Sequence, residues 1–147
     1  MDRGAAVVLT ATAGGLIALQ APINSTLGRS VGTFQAAFLS FAIGTVALTI
    51  IAALAKGGLG QVTEVRGLAW YYLVGGLLGA VYVTTVLVTV RSLGAGGVTS
   101  ATIAGQLSLS VAADHFGWLG VDRSPITGLK VAGIVLLAAG VFLVVRD

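Results

Sequence analysis

Long apolar runs divided by single charges set the pattern of this chain. Residues 4–27 lie between Arg3 and Arg29, 33–55 between Arg29 and Lys56, and 68–90 between Arg66 and Arg91. Residues 93–113 then run uncharged to Asp114, and 127–145, with Lys130 near their start, extend to Arg146. Each run is close to the roughly 20 residues a helix needs to cross a hydrocarbon core of about 30 Å. The pattern predicts an all-α integral membrane protein, one domain over residues 1–147, with about five transmembrane helices. The fourth run is the richest in Gly, Ser and Thr and is expected to pack inside the bundle. Asp122-Arg123-Ser124-Pro125 reads as the turn before the fifth, with Pro125 where the missing N–H does least harm. Lys56 to Arg66, with Gly57, Gly58 and Gly60, is the one long polar connection and reads as a flexible turn region.

Composition narrows the picture further. Only eight Lys or Arg and five Asp or Glu occur in 147 residues, a balance that leaves no room for a soluble domain. The first run exceeds the roughly 7–15 apolar residues of a signal peptide and is expected to stay in the mature protein. Without cysteine, and with His115 the one histidine, neither a disulfide framework nor a metal cluster can be assembled. No metal and no cofactor are therefore expected. The net charge of +3 is spread singly over segment ends, so the bilayer rather than a nucleic acid is the expected partner. Trp70, Tyr71 and Tyr72 at the opening of one run, and Phe116 and Trp118 after another, suit rings anchored at headgroup level.

Orientation follows from the basic residues. Arg3, Lys56, Arg66, Arg123 and Lys130 fall on the N-terminal side, and Arg29, Arg91 and Arg146 on the other. That small excess favours a cytoplasmic N-terminus without enforcing it. Insertion in both orientations stays open, and with it an antiparallel dimer of ten helices with the two-fold symmetry of inverted-repeat transporters. A second regularity lies inside the chain. Gly14-Gly15-Leu16 and Arg29-Ser30-Val31-Gly32 are echoed by Gly75-Gly76-Leu77 and Arg91-Ser92-Leu93-Gly94, 61 to 62 residues later, as a duplicated hairpin would give.

Polar residues at membrane depth are the candidates for chemistry. Gln20 and Asn24, four apart on one helical face, flank Pro22, which is expected to kink the first helix. A broken helix bordered by amides is a place where transporters expose polar backbone to a substrate. Thr102, Gln106, Ser110 and Asp114 follow one another in steps of four, a stripe that lipid would not accept. Gln35, Tyr82, Thr85 and Thr89 could complete a lining. Asp114-His115 could bind a proton or cation, or simply serve as an interfacial cap or ion pair with Arg123. The middle of every run lacks Asp and Glu, which argues against a deep proton-exchanging carboxylate. No nucleophile with its base and no phosphate-cradling loop can be assembled, so an enzyme is not expected.

These residues also carry a resemblance. Residues 18–28 (Ala18 to Gly28), Phe34-Gln35-Ala36-Ala37-Phe38, and the stretch from Gly105-Gln106-Leu107 to Asp114-His115-Phe116-Gly117-Trp118 resemble the YdcZ-type family of the drug/metabolite transporters. The resemblance spans nearly the whole chain. It implies a multi-pass protein of the bacterial inner (cell) membrane, an exporter working as a homodimer or with a paired homologous subunit. The expected function is transport of a small molecule by alternating access, with Gln20, Asn24, Gln35, Tyr82, Gln106, Ser110 and Asp114 as substrate-binding residues. A dual-topology ion channel and a non-transporting membrane subunit are the rival readings. Amides and hydroxyls favour a neutral or zwitterionic polar solute.

Overall fold

A computed structural model of the chain describes residues 2–56 and 58–146. Among these residues the secondary structure is helical, with no strand. Helix α1 spans Arg3–Val31, α2 Thr33–Leu54, α3 Val74–Phe116 and α4 Gly128–Arg146. By length and composition four helices can cross a membrane: α1, α2, α4 and the run Trp70–Phe116 that contains α3. The chain divides into two compact units, Met1–Arg91 and Ser92–Asp147.

Two places bear on the expectation of five helices with a kink at Pro22. First, α1 continues past Pro22 to Val31. Proline deprives the Ala18 carbonyl of one partner, but hydrogen bonds on either side carry the helix through. Second, the third and fourth expected helices follow one another within Val74–Phe116. The run is not an unbroken rod, because at Gly94 the backbone leaves the helix (φ 68°, ψ 169°) and separates an arm 74–93 from an arm 95–116. The predicted boundary between residues 90 and 93 lies beside this break.

Gly94 has a counterpart. Gly32, which joins α1 to α2, sits at φ 100°, ψ 149°, and its N–H closes α1 on the carbonyl of Gly28. Both glycines occupy a region of backbone space open essentially to glycine alone. They are 62 residues apart, the spacing of the Arg-Ser-x-Gly echo. Burial repeats at the same interval. The buried residues of α1 are Ala21, Asn24, Ser25 and Gly28, and those 62 positions on are Val83, Val86, Leu87 and Val90, all buried. Ala36 and Val98, beyond the respective glycines, form a further buried pair. A single buried stripe is common to packed helices. Its phase relative to a glycine break is not, and that phase is shared.

Within the first unit, Ala36 and Ala37 of α2 meet Val83 and Leu87 of the first α3 arm, with Leu27 and Tyr82 packed against them. Gly28 lies at the junction of three helices. A Cβ placed there would stand 3.6 Å from both Ala36 Cβ and Leu87 Cδ2, and 3.5 Å from an Arg91 guanidinium nitrogen. Small residues let these backbones approach where lipid gives no hydrophobic drive to pack. In the second unit Gly96 and Gly97 lie against Val144 and Val145, which brings the start of the arm 95–116 to the end of α4.

The connection after α2, expected to be a flexible turn, winds from Gly58 to Gly67 as a 3-10 helix, and Trp70–Leu73 adds a second 3-10 turn before α3. Gly57, which falls in that stretch, lies outside the described residues. The aromatics form two contacts: Tyr71 and Tyr72 are tilted on each other with ring centres 4.6 Å apart, and Phe116 and Trp118 are stacked at 5.2 Å.

Candidate functional site

The polar side chains singled out from sequence fall into two groups, one in each unit. In the first, Asn24 is only 5% exposed, and its Nδ2 donates to Ser40 Oγ of α2 at 2.9 Å. The pair ties α1 to α2 directly behind Pro22. Gln20, one turn earlier, is exposed. Gln35 is exposed in the first turn of α2, with its amide folded over Gly32 in the space a Cβ would need. Tyr82 is half-buried against the α2–α3 cluster. Thr85 and Thr89 turn their hydroxyls onto their own helix, donating to the carbonyls of Val81 and Thr85 at 2.9 Å each. Such back-bonding satisfies a hydroxyl without drawing on a solute.

Arg91 ends the first unit. Its Nη2 donates to Thr33 Oγ1 at 3.3 Å, beside the C-terminal turn of α1, where a positive charge is favoured by the helix dipole. Arg91 thereby joins the ends of three helices.

In the second unit the stripe of the arm 95–116 is graded. Thr102 and Asp114 are half-buried, while Gln106 and Ser110 are exposed. Neighbouring hydroxyls behave differently: Ser100 donates to the Gly97 carbonyl at 3.0 Å and Ser108 to that of Ala104 at 2.8 Å. The end of the stripe is fastened by the following connection. Ser124 N–H donates to the Asp114 carbonyl at 2.8 Å, Arg123 Nε to the His115 carbonyl at 2.9 Å, and Ile126 N–H to His115 Nδ1 at 3.2 Å. Lys130 Nζ holds the same connection from α4, donating to Ser124 Oγ at 2.8 Å and to the carbonyls of Pro125 and Ser124 at 3.1 and 3.3 Å. Arg123 thus meets the backbone at His115 through its guanidinium. Among the described residues no cluster of three or more His, Cys, Asp or Glu could hold a metal.

Among the described residues, Asn24 to Ser40 is the one long-range hydrogen bond that a candidate side chain makes with another polar side chain. Ser40 escaped the sequence reading. Its signal was faint, a lone serine inside an apolar run with no periodic companion. Lys130 was taken only as a membrane flank, and its place one turn after Pro125 was the available clue to its role as a staple.

Apolar helices of membrane-spanning length, carrying amides and hydroxyls among their apolar residues, define an α-helical membrane protein. The family model described as "Putative inner membrane exporter, YdcZ" matches residues 5–143, and the chain belongs to that family. The family is one of membrane exporters rather than enzymes. No curated protein and no solved structure matches the chain.

Proposed function

We propose that this chain is one half of a secondary transporter, exporting a small polar solute by alternating access as a dimer in a bacterial inner membrane. The single observation that carries the reading is the exposure of Gln106 and Ser110, a turn apart on the arm 95–116. Polar groups at this depth face a bundle interior or a wet path, because lipid offers them no partner. Family membership supports the direction of transport. The two arms of α3 each have the length of one crossing, which with α1, α2 and α4 makes five. An odd number puts the chain's ends on opposite sides of the membrane, and two oppositely inserted copies would supply ten helices around a two-fold axis in its plane.

The proposed lining comprises Gln20, Asn24, Gln35, Tyr82, Gln106, Ser110 and Asp114. Within it Gln20, Gln106 and Ser110 are the groups free to meet a solute, while Asn24 acts on the path by setting the spacing of α1 and α2. Amides and hydroxyls donate and accept without carrying charge, which suits a neutral or zwitterionic solute. The test runs in two stages. A thermal-shift screen of purified protein against polar metabolites finds a ligand, and counterflow of that ligand is then followed in liposomes. Saturable counterflow supports the proposal. Rapid current without saturation makes the protein a channel, and absence of both binding and flux makes it a non-transporting subunit.

A further inference from the structure

The connection between α3 and α4 holds to the end of α3 by three hydrogen bonds, and these differ in one chemical respect. Two of them end on backbone carbonyls, those of Asp114 and His115, which keep their acceptor character at every physiological pH. The third ends on an imidazole nitrogen. Ile126 N–H donates to His115 Nδ1 at 3.2 Å, and a nitrogen that accepts carries no proton. The ring is therefore neutral in this arrangement, with its proton on Nε2. A second proton would turn Nδ1 from acceptor to donor and set two N–H groups against each other. Pro125 has no N–H to offer instead, so Ile126 is the first donor after it.

We propose that His115 is a proton-binding latch: neutral, it fastens the α3–α4 connection at Ile126 to the end of α3, and protonated, it lets that point go. Histidine is the side chain whose charge ordinarily changes between about pH 5 and 8. Four charged groups lie on the elements around it. Asp114 precedes it on the same helix, and Asp122 lies in the connection. Arg123 is bonded to the His115 carbonyl, and Lys130 of α4 to Ser124. Phe116 lies against the ring in a T-shaped arrangement, centroids 4.9 Å apart, and is itself stacked on Trp118. Lys130 ties Ser124 and Pro125 to α4 in either state. Release at Ile126 thus loosens the connection from α3 while leaving it attached to α4, next to the Asp114 end of the polar stripe. This inference is independent of what solute the protein carries.

The experiment is amide exchange on the full-length protein in lipid nanodiscs, with the protection factor of the Ile126 N–H corrected for intrinsic exchange at each pH. Between about pH 8 and about pH 5 the natural chain should lose roughly tenfold in protection at this amide, the worth of one hydrogen bond. His115→Asn keeps an oxygen acceptor close to the place of Nδ1 and cannot titrate, so its protection should stay level across the range. His115→Ala should be unprotected at every pH. Level protection in the natural chain overturns the proposal, as does an equal fall in His115→Asn, which would assign the transition to another group. Should His115→Ala fail to fold, the first two proteins decide the matter alone.

Discussion

In the first helix–glycine–helix pair, Asn24 and Ser40 are turned on each other. In the second, Val86 and Thr102 stand at the corresponding places, 62 residues on. Further along, the relation reverses. Ser40, Gly44, Leu48 and Ala52 of α2 correspond to Thr102, Gln106, Ser110 and Asp114 of the arm 95–116. The two pairs thus share a backbone scheme, a glycine break and a phase of burial, yet distribute their polar groups in opposite ways. In the first, Asn24 and Ser40 form a clamp between helices. The second leaves amide and hydroxyl exposed in a row. Since a buried, mutually satisfied pair stabilises and an exposed one is available to bind, the second pair should carry function and the first should carry stability.

Substitutions can break or sharpen this contrast. The largest effects should fall on what the pairs share. Gly32→Ala forces a side chain into left-handed backbone and into the Gln35 amide, and should destabilise by about 3 kcal/mol. Gly94→Ala meets the same backbone problem with nothing within 4 Å of the new Cβ, and should cost nearer 1 to 2 kcal/mol, roughly. Equilibrium unfolding in mixed micelles measures both. Equal and negligible costs would show that these glycines are not paired breaks.

Next comes the clamp. Ser40→Ala leaves the Asn24 amide buried without its acceptor and should destabilise by about 1 to 2 kcal/mol, whereas Thr102→Val in the second pair should change stability by less than about 0.5 kcal/mol. If both behaved alike in the same unfolding assay, the division of labour between the pairs would fail. The smallest stability change belongs to the exposed row. Gln106→Leu should leave the unfolding midpoint within about 0.5 kcal/mol of the natural chain, with its effect confined to solute handling.

Much of the fold was legible in sequence because lipid imposes a simple rule: apolar runs of fixed length, with charges at their ends. The rule located α1, α2 and α4 to within a few residues and put a boundary beside Gly94. It said less about how backbone behaves inside a run. Pro22 stood out in sequence, and α1 continues through it, while Gly94, one of many glycines, holds a conformation that no side-chain-bearing residue adopts easily. Candidate side chains were legible only as types. Gln20, Asn24, Gln35 and Gln106 read alike as amides at depth, and only the packing separates Asn24, satisfied by Ser40, from the exposed Gln106. The knot of Arg123, Ser124 and Ile126 on residues 114–115 depends on how a loop folds back, which periodicity does not encode.

The measurement that bears most directly on the central reading is counterflow in liposomes, with a solute first identified by thermal shift, comparing the natural chain with Gln106→Leu and Ser40→Ala at matched folded protein. Saturable counterflow is predicted in the natural chain. It should be about tenfold weaker in Gln106→Leu, the loss of one hydrogen bond to the solute, and largely kept in Ser40→Ala once stability is allowed for. Flux that does not saturate, or Gln106→Leu transporting as well as the natural chain, would contradict a transporter whose path runs along the arm 95–116.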